Sequence, residues 1–228
     1  MKILKAPETI FEGLHLPECP RWKNGALYFS DIAGGRVFKL YPDDKVERIF
    51  QSDVDYIGGL GFSEDGGLVA VSSKQRKLLR LSQGGSVDYA DLSSLCRFVL
   101  NDMVMQDDRC FVSQPGFDIW SGHADGMPDL TDIIGVHPNG EPYIAASEMA
   151  SPNGMAISPD GQTLYVAEST AMRISCLLRS GRFGLGLGGH DALLNAGNLP
   201  ILARVPMSGR SWVGRGASAA LSLRSVGP

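Results

Sequence analysis

The chain has 228 residues, 43% of them hydrophobic and 20% charged, enough to bury a core in one large domain or two small ones. Its net charge of −4 argues against a nucleic-acid binder, and no stretch is apolar for long enough to span a bilayer. Cysteines 19, 96, 110 and 176 are scattered with no C-x-x-C pair, which argues against a zinc ribbon or a disulfide scaffold. The first eight residues lack an apolar run suited to a secretory signal, so the default expectation is a soluble cytoplasmic protein. The 28 glycines and 13 prolines favour short strands and turns over helices.

Charge divides the chain. Residues 1–174 hold 15 basic and 24 acidic side chains, whereas 175–228 hold six arginines and a single acid, Asp191. The second stretch has ten glycines and ten leucines in 54 residues, and no lysine, glutamate or tyrosine. The two parts are therefore expected to differ in kind, with 1–174 folded and 175–228 an atypical, poorly packed tail.

The first part repeats. Residues 19–31, 60–72, 103–113 and 155–168 each run from an apolar segment through a Gly- or Asp-containing turn into a second apolar segment. Each reads as a β-hairpin, because Gly and Asp supply the turn geometry while Tyr, Phe and Val favour strands. Third strands are predicted at 36–41, 77–81, 132–136 and 172–177, and fourth strands at 46–50, 86–90 and 142–146. The residues just before each first strand, Glu18, Gly58, Asn101 and Asn153, are spaced by 40, 43 and 52 positions, the last lengthened by a loop over 116–131. About 40–45 residues per four-stranded unit is the period of a β-propeller blade. The expected fold is all-β, with a β-sandwich as the alternative.

In a propeller the first strand of every blade lines a central channel, so residues of equal phase converge. Here they are one carboxylate (Glu18) and two amides (Asn101, Asn153), while Gly58 is expected to leave an opening. Oxygen-only donors suit Ca²⁺ or Mg²⁺, whereas His and Cys would point to zinc. Each also has a plain reading: Glu18 as a solvated acid beside a proline turn, Asn101-Asp102 as a turn cap, Asn153-Gly154 as a hairpin turn. The four histidines share no metal-ligand spacing, and Trp22, Phe62 and Met103 sit where blade cores are expected.

Three motifs carry a family resemblance. Pro17-Glu18-Cys19-Pro20-Arg21-Trp22 with Leu27-Tyr28-Phe29-Ser30-Asp31-Ile32, then Leu100-Asn101-Asp102-Met103-Val104, then Ser151-Pro152-Asn153-Gly154-Met155-Ala156 with Ser158-Pro159-Asp160-Gly161 resemble, in order, the signatures of the senescence marker protein/regucalcin/gluconolactonase family. The resemblance covers about residues 8–174, roughly three and a half blades of a six-bladed propeller. It implies a metal-dependent hydrolase that opens a lactone, with Glu18 and Asn153 as ligands of a divalent cation and Asn101 contacting substrate. The implied ion is Ca²⁺ first, with Zn²⁺ or Mg²⁺ as alternatives, and the implied partner is a small-molecule lactone or related ester.

Two departures from the family qualify this. Many members carry a sugar-binding arginine two residues before the asparagine; here that position is Val99, with Arg97 two residues further back. The family's remaining metal ligand, an Asp that is also its proposed proton acceptor, has no counterpart in 175–228, so no catalytic base is assigned. The tail resembles a GC-rich frame translated out of register, and the expectation is a frameshift or truncation that replaced the last blades. A non-catalytic calcium-binding or interaction propeller and an inactive fragment are the competing functional readings.

Overall fold

The computed structural model describes residues 9–83, 85–121, 128–180 and 184–186. It contains four antiparallel sheets, each of four strands and each drawn from one continuous stretch of chain. The first comprises β1 (Pro17–Lys23), β2 (Ala26–Asp31), β3 (Arg36–Leu40) and β4 (Val46–Gln51). The second comprises β5 (Ile57–Phe62), β6 (Leu68–Ser72), β7 (Lys77–Ser82) and β8 (Gly85–Asp91). In the third are β9 (Met103–Gln106), β10 (Arg109–Val112), β11 (Leu130–Val136) and β12 (Pro142–Ala150). The fourth holds β13 (Pro152–Ile157), β14 (Thr163–Glu168), β15 (Arg173–Ser180) and a short β16 (Gly184–Gly186). These are propeller blades, and the fourth is complete: β15 crosses the expected boundary at residue 174, because Ile174 and Cys176 pair with Ala167 and Tyr165 of β14. Asp191 and the rest of the tail beyond residue 186 lie outside the described residues.

Local chemistry sets the hairpins. Between β1 and β2 the two-residue loop Asn24-Gly25 has both residues at positive φ (49° and 76°), the turn whose twist matches paired strands. Asp107-Asp108 does the same between β9 and β10, at 51° and 56°. The second and fourth blades instead share a Ser-x-Asp-Gly loop. In both, the serine hydroxyl donates to the aspartate, and the glycine amide donates to the serine carbonyl at 2.8 Å.

Apolar side chains from facing sheets fill the space between blades. Val37, Ile57, Leu60 and Ala70 join the first two blades. Val71, Leu78, Met103, Val112 and Ile134 join the second and third. Ile133, Ala145, Met149, Leu164 and Val166 join the third and fourth. Phe29, Phe38 and Leu40, on the face of the first blade turned away from the second, are covered by Ile10 and Leu14 of the lead-in segment. Trp22 differs from its expected core place. It pairs with Leu27 on that same outward face and is 69% exposed, since no described blade packs over it.

Buried acids fasten the ends of blades. Asp31, at the end of β2, accepts the backbone amides of His15 and Leu16 at 2.8 and 2.6 Å and pairs with Arg36, five residues on. Glu168 occupies the matching place in β14. It accepts the Ala150 amide at 2.7 Å, the Arg173 guanidinium at 2.7 and 3.0 Å, and the Ser175 hydroxyl. Burial pushes the Glu168 carboxyl up, but Arg173, Ala150 and Ser175 together outweigh this and hold it below the ordinary value of 4.5.

A lowered folded-state pKa means that the ionised group stabilises the fold above its unfolded value, and that this contribution fades as pH falls through the folded one. Glu168→Gln should therefore lose about 1–3 kcal/mol near neutral pH, read as a drop of several degrees in melting temperature. The deficit should shrink in acid below the ordinary glutamate value. A deficit independent of pH would contradict an ionised, partnered Glu168.

Candidate functional site

The positions of equal phase share one structural device. In the first, second and fourth blades the inner strand breaks register against its neighbour, between Glu18 and Arg21, Ile57 and Leu60, and Pro152 and Met155. A bulge turns consecutive residues out of the pleat and is a common way to aim side chains into a site. In the third blade Asn101 and Asp102 lie just ahead of β9, where Asn101 donates its amide to Ser113 at 3.0 Å.

Asn101 and Asn153, 52 residues apart in the chain, meet directly: Asn101 Nδ2 donates to Asn153 Oδ1 at 3.0 Å. Neither is therefore only a local turn residue. Beside them Asp102 is buried. Its Oδ1 accepts Arg21 Nη2 at 2.9 Å and the Met103 amide at 2.7 Å. Its Oδ2 lies 4.0 Å from the point where a side chain on Gly154 would begin. Glu18 reaches this cluster electrostatically. Partial desolvation, then the Asp102 charge, raise the Glu18 carboxyl above its usual range against the lowering effect of the Cys19 amide. The Asp102 charge thus makes ionisation of Glu18 costlier, and a carboxylate with side-chain amide oxygens is the kind of donor set that suits a hard cation.

Gly58 overturns its expected role. The space beside it is not an opening: a Cβ there would lie 2.3 Å from the Asn101 carbonyl oxygen. At Gly59 a Cβ would lie 2.2 Å from the Met103 amide, and the Gly59 amide donates to the Asn101 carbonyl at 2.8 Å. The two glycines thus let the second and third inner strands touch backbone to backbone, which fixes Asn101.

Two participants were not singled out from the sequence. Arg21 lay inside a recognised motif without a role, and Asp102 was read as part of a turn cap. Arg21 Nε donates to the Leu60 carbonyl at 2.8 Å while the same guanidinium reaches Asp102 and the Met103 carbonyl. A short-range signal existed: an arginine three residues after the phase acid and an acid next to the phase asparagine. Cys19 is no nucleophile, since complete burial, then the nearby Asp102, push its thiol well above its ordinary value.

The positions that departed from the family pattern are also placed. Val99 is 4% exposed in the core, and Arg97 turns away to pair with Asp129 at 2.6 Å across the base of the 116–131 loop. Arg97 thus does not replace the absent sugar-binding arginine. Among the described residues no group of three or more His, Cys, Asp or Glu side chains is arranged to hold a metal. His137 stacks on Tyr143, His15 donates its backbone amide to Asp31, and His123 and His190 lie outside the described residues. No described helix is long and apolar enough to cross a membrane.

Comparison with known proteins agrees with this architecture. The family described as the SMP-30/gluconolactonase/LRE-like region matches residues 16–180, six residues past the expected end of the repeats. The lactonase drp35 of Staphylococcus aureus is 26% identical over 170 residues, covering 72% of this chain and 51% of that protein. The chain therefore spans about half the length of the lactonases it matches. Two solved structures share the fold: a gluconolactonase of Xanthomonas campestris (TM-score 0.66, 23% identity, 77% of this chain and 63% of that one) and the calcium-binding protein regucalcin of Agrobacterium tumefaciens (TM-score 0.59, 18% identity, 77% and 58%).

Two outcomes check the geometry. In Asp102→Asn the Glu18 carboxyl should titrate lower than in the parent, by carboxyl NMR, because a repelling charge is gone; an unmoved titration would separate the two acids. Gly59→Ala should cost roughly 1–3 kcal/mol in thermal unfolding, since its Cβ meets backbone rather than a movable side chain; a neutral substitution would disprove the strand contact.

Proposed function

The chain belongs to the SMP-30/gluconolactonase/LRE-like family, and we propose on that premise that it is a lactonase-type hydrolase whose site is the inner-strand cluster of Glu18, Asn101 and Asn153. The observation that carries this reading is the direct Asn101–Asn153 contact beside the Asp102–Arg21 pair. Residues from three blades meet there, and their chemistry matches the roles that the motifs imply.

Glu18 and Asn153 would hold a divalent cation, Ca²⁺ first by the chemistry of the donors, with Zn²⁺ or Mg²⁺ as alternatives. When bound, such an ion supplies the positive charge that polarises an ester carbonyl and makes bound water more acidic. The protein's own part is positioning. Asn101 gives one amide proton to Asn153 and keeps the other for the carbonyl or ring oxygen of a lactone. Asn153 retains a lone pair on Oδ1 after accepting from Asn101. Neither amide cancels the cation's charge, and Asp102 stays in its ion pair with Arg21. Asp102 is engaged by Arg21 and Glu18 would be engaged by the cation, so neither serves as general base and no residue is assigned that role.

A calcium-binding propeller without turnover is the second reading. It is favoured by Val99 in place of the sugar-binding arginine. Chelator-treated protein should open simple lactones only after Ca²⁺, Zn²⁺ or Mg²⁺ is restored, and Glu18→Gln should lose about tenfold or more of that activity. Metal binding with no turnover of any lactone would favour the second reading. Full activity in Glu18→Gln would remove Glu18 from the site.

A further inference from the structure

The rim beside Asn101 carries an aromatic cluster that the family motifs do not account for. Tyr56 and Trp120 stack with ring centroids 4.1 Å apart and planes 20° from parallel, and Lys74 Nζ lies 4.6 Å over the Tyr56 ring. Tyr56 precedes β5, Lys74 follows β6, and Trp120 belongs to the loop between β10 and β11, so two blades build it at the strand ends that also present Asn101. The cluster is wired to the site. Trp120 Nε1 donates to Ser73 Oγ at 2.9 Å, and Ser73 Oγ donates to the carbonyl of Leu100, the residue before Asn101, at 2.5 Å. The backbone of Ser73 accepts the Leu100 amide at 3.1 Å and donates to the Tyr56 carbonyl at 3.0 Å. Asp118 accepts the Trp120 amide at 3.0 Å, which orients that residue from its own loop.

A preset aromatic surface contacts planar or apolar groups with little loss of side-chain freedom. Lys74 and Trp120 together occupy Tyr56, and Trp120 remains partly exposed. Val99 is buried in the core and Arg97 is engaged with Asp129, so neither supplies the guanidinium that the family resemblance assigns to a sugar ring. We propose that Trp120, held by Tyr56 and Ser73, is a specificity residue that binds the ring substituent of the substrate. The preferred substrates are then lactones bearing an aryl or other planar apolar group, rather than polyhydroxylated aldonolactones. This rests on the lactonase reading for turnover, but its binding component is separately measurable.

The chain has three tryptophans, 22, 120 and 212. With Trp22 and Trp212 replaced by Phe in the full chain, Trp120 fluorescence reports its own surroundings. γ-Phenyl-γ-butyrolactone should change that emission saturably, whereas γ-butyrolactone and D-glucono-1,5-lactone should not. Where turnover is seen, Trp120→Ala should raise KM for the phenyl lactone about fivefold or more and leave that for γ-butyrolactone unchanged. Trp120→Phe, which keeps a ring but loses the bond to Ser73, should retain the preference. Saturable phenyl-lactone binding without turnover of any lactone would sink the lactonase reading and leave the platform standing. No selective emission change, or a Trp120→Ala loss equal for every lactone in a protein that still melts like the parent, would overturn the proposal.

Discussion

Arg21 stands on the inner strand of the first blade and directs its guanidinium into the next two. One edge reaches the Leu60 carbonyl of the second blade; the other reaches Asp102 and the Met103 carbonyl at the start of the third. Packing between neighbouring sheets is apolar and tolerant of small slips, whereas a planar fork with five fixed donors is not. The Arg21 and Asp102 side chains are only 24% and 12% exposed, so removing either partner would strand a charge in the centre of the fold. This pair fixes the relative position of three inner strands, and with it the positions of Glu18 and Asn101. Gly58 and Gly59 complete the constraint from the other side, by allowing backbone contact where any side chain would force the strands apart.

The same economy of fixed polar contacts recurs at the blade ends. Asp31 and Glu168 each bridge the backbone entering a blade to an arginine five residues on, so the strand carrying a site residue is tied down close to where it enters the site. Glu18 lies two residues beyond Leu16, and Asn153 three beyond Ala150. Rigidity at the cluster thus comes from buried, charge-assisted bonds, while the apolar layers between blades supply most of the burial.

The strands and their grouping were legible in the sequence because each blade repeats the same alternation and turn chemistry. Every predicted third and fourth strand is found at or near its expected place. The meeting of Asn101 with Asn153 was legible too, but only through the repeat phase. Less was legible where one residue type serves two opposite ends: the glycine at 58 reads the same whether it leaves a gap or permits contact. The Arg21–Asp102 pair is 81 residues apart, with no pattern linking the two before the blades are placed. Trp22 was misjudged because strand alternation gives the face of a side chain and says nothing of whether another sheet covers it. The third strand of the fourth blade, predicted at 172–177, runs on to Ser180, where the Arg- and Gly-rich composition of the tail hides its continuation.

The proposed site joins Glu18 and Asn153 although separate blades carry them. A double-mutant cycle on Ca²⁺ affinity, by calorimetry on the parent, Glu18→Gln, Asn153→Ala and the double variant, tests that most directly. A single shared ion requires both single variants to bind more weakly and their effects to be coupled by more than about 0.5 kcal/mol. Independent, additive effects, or Ca²⁺ affinity untouched by either change, would mean that the two residues do not serve a common centre.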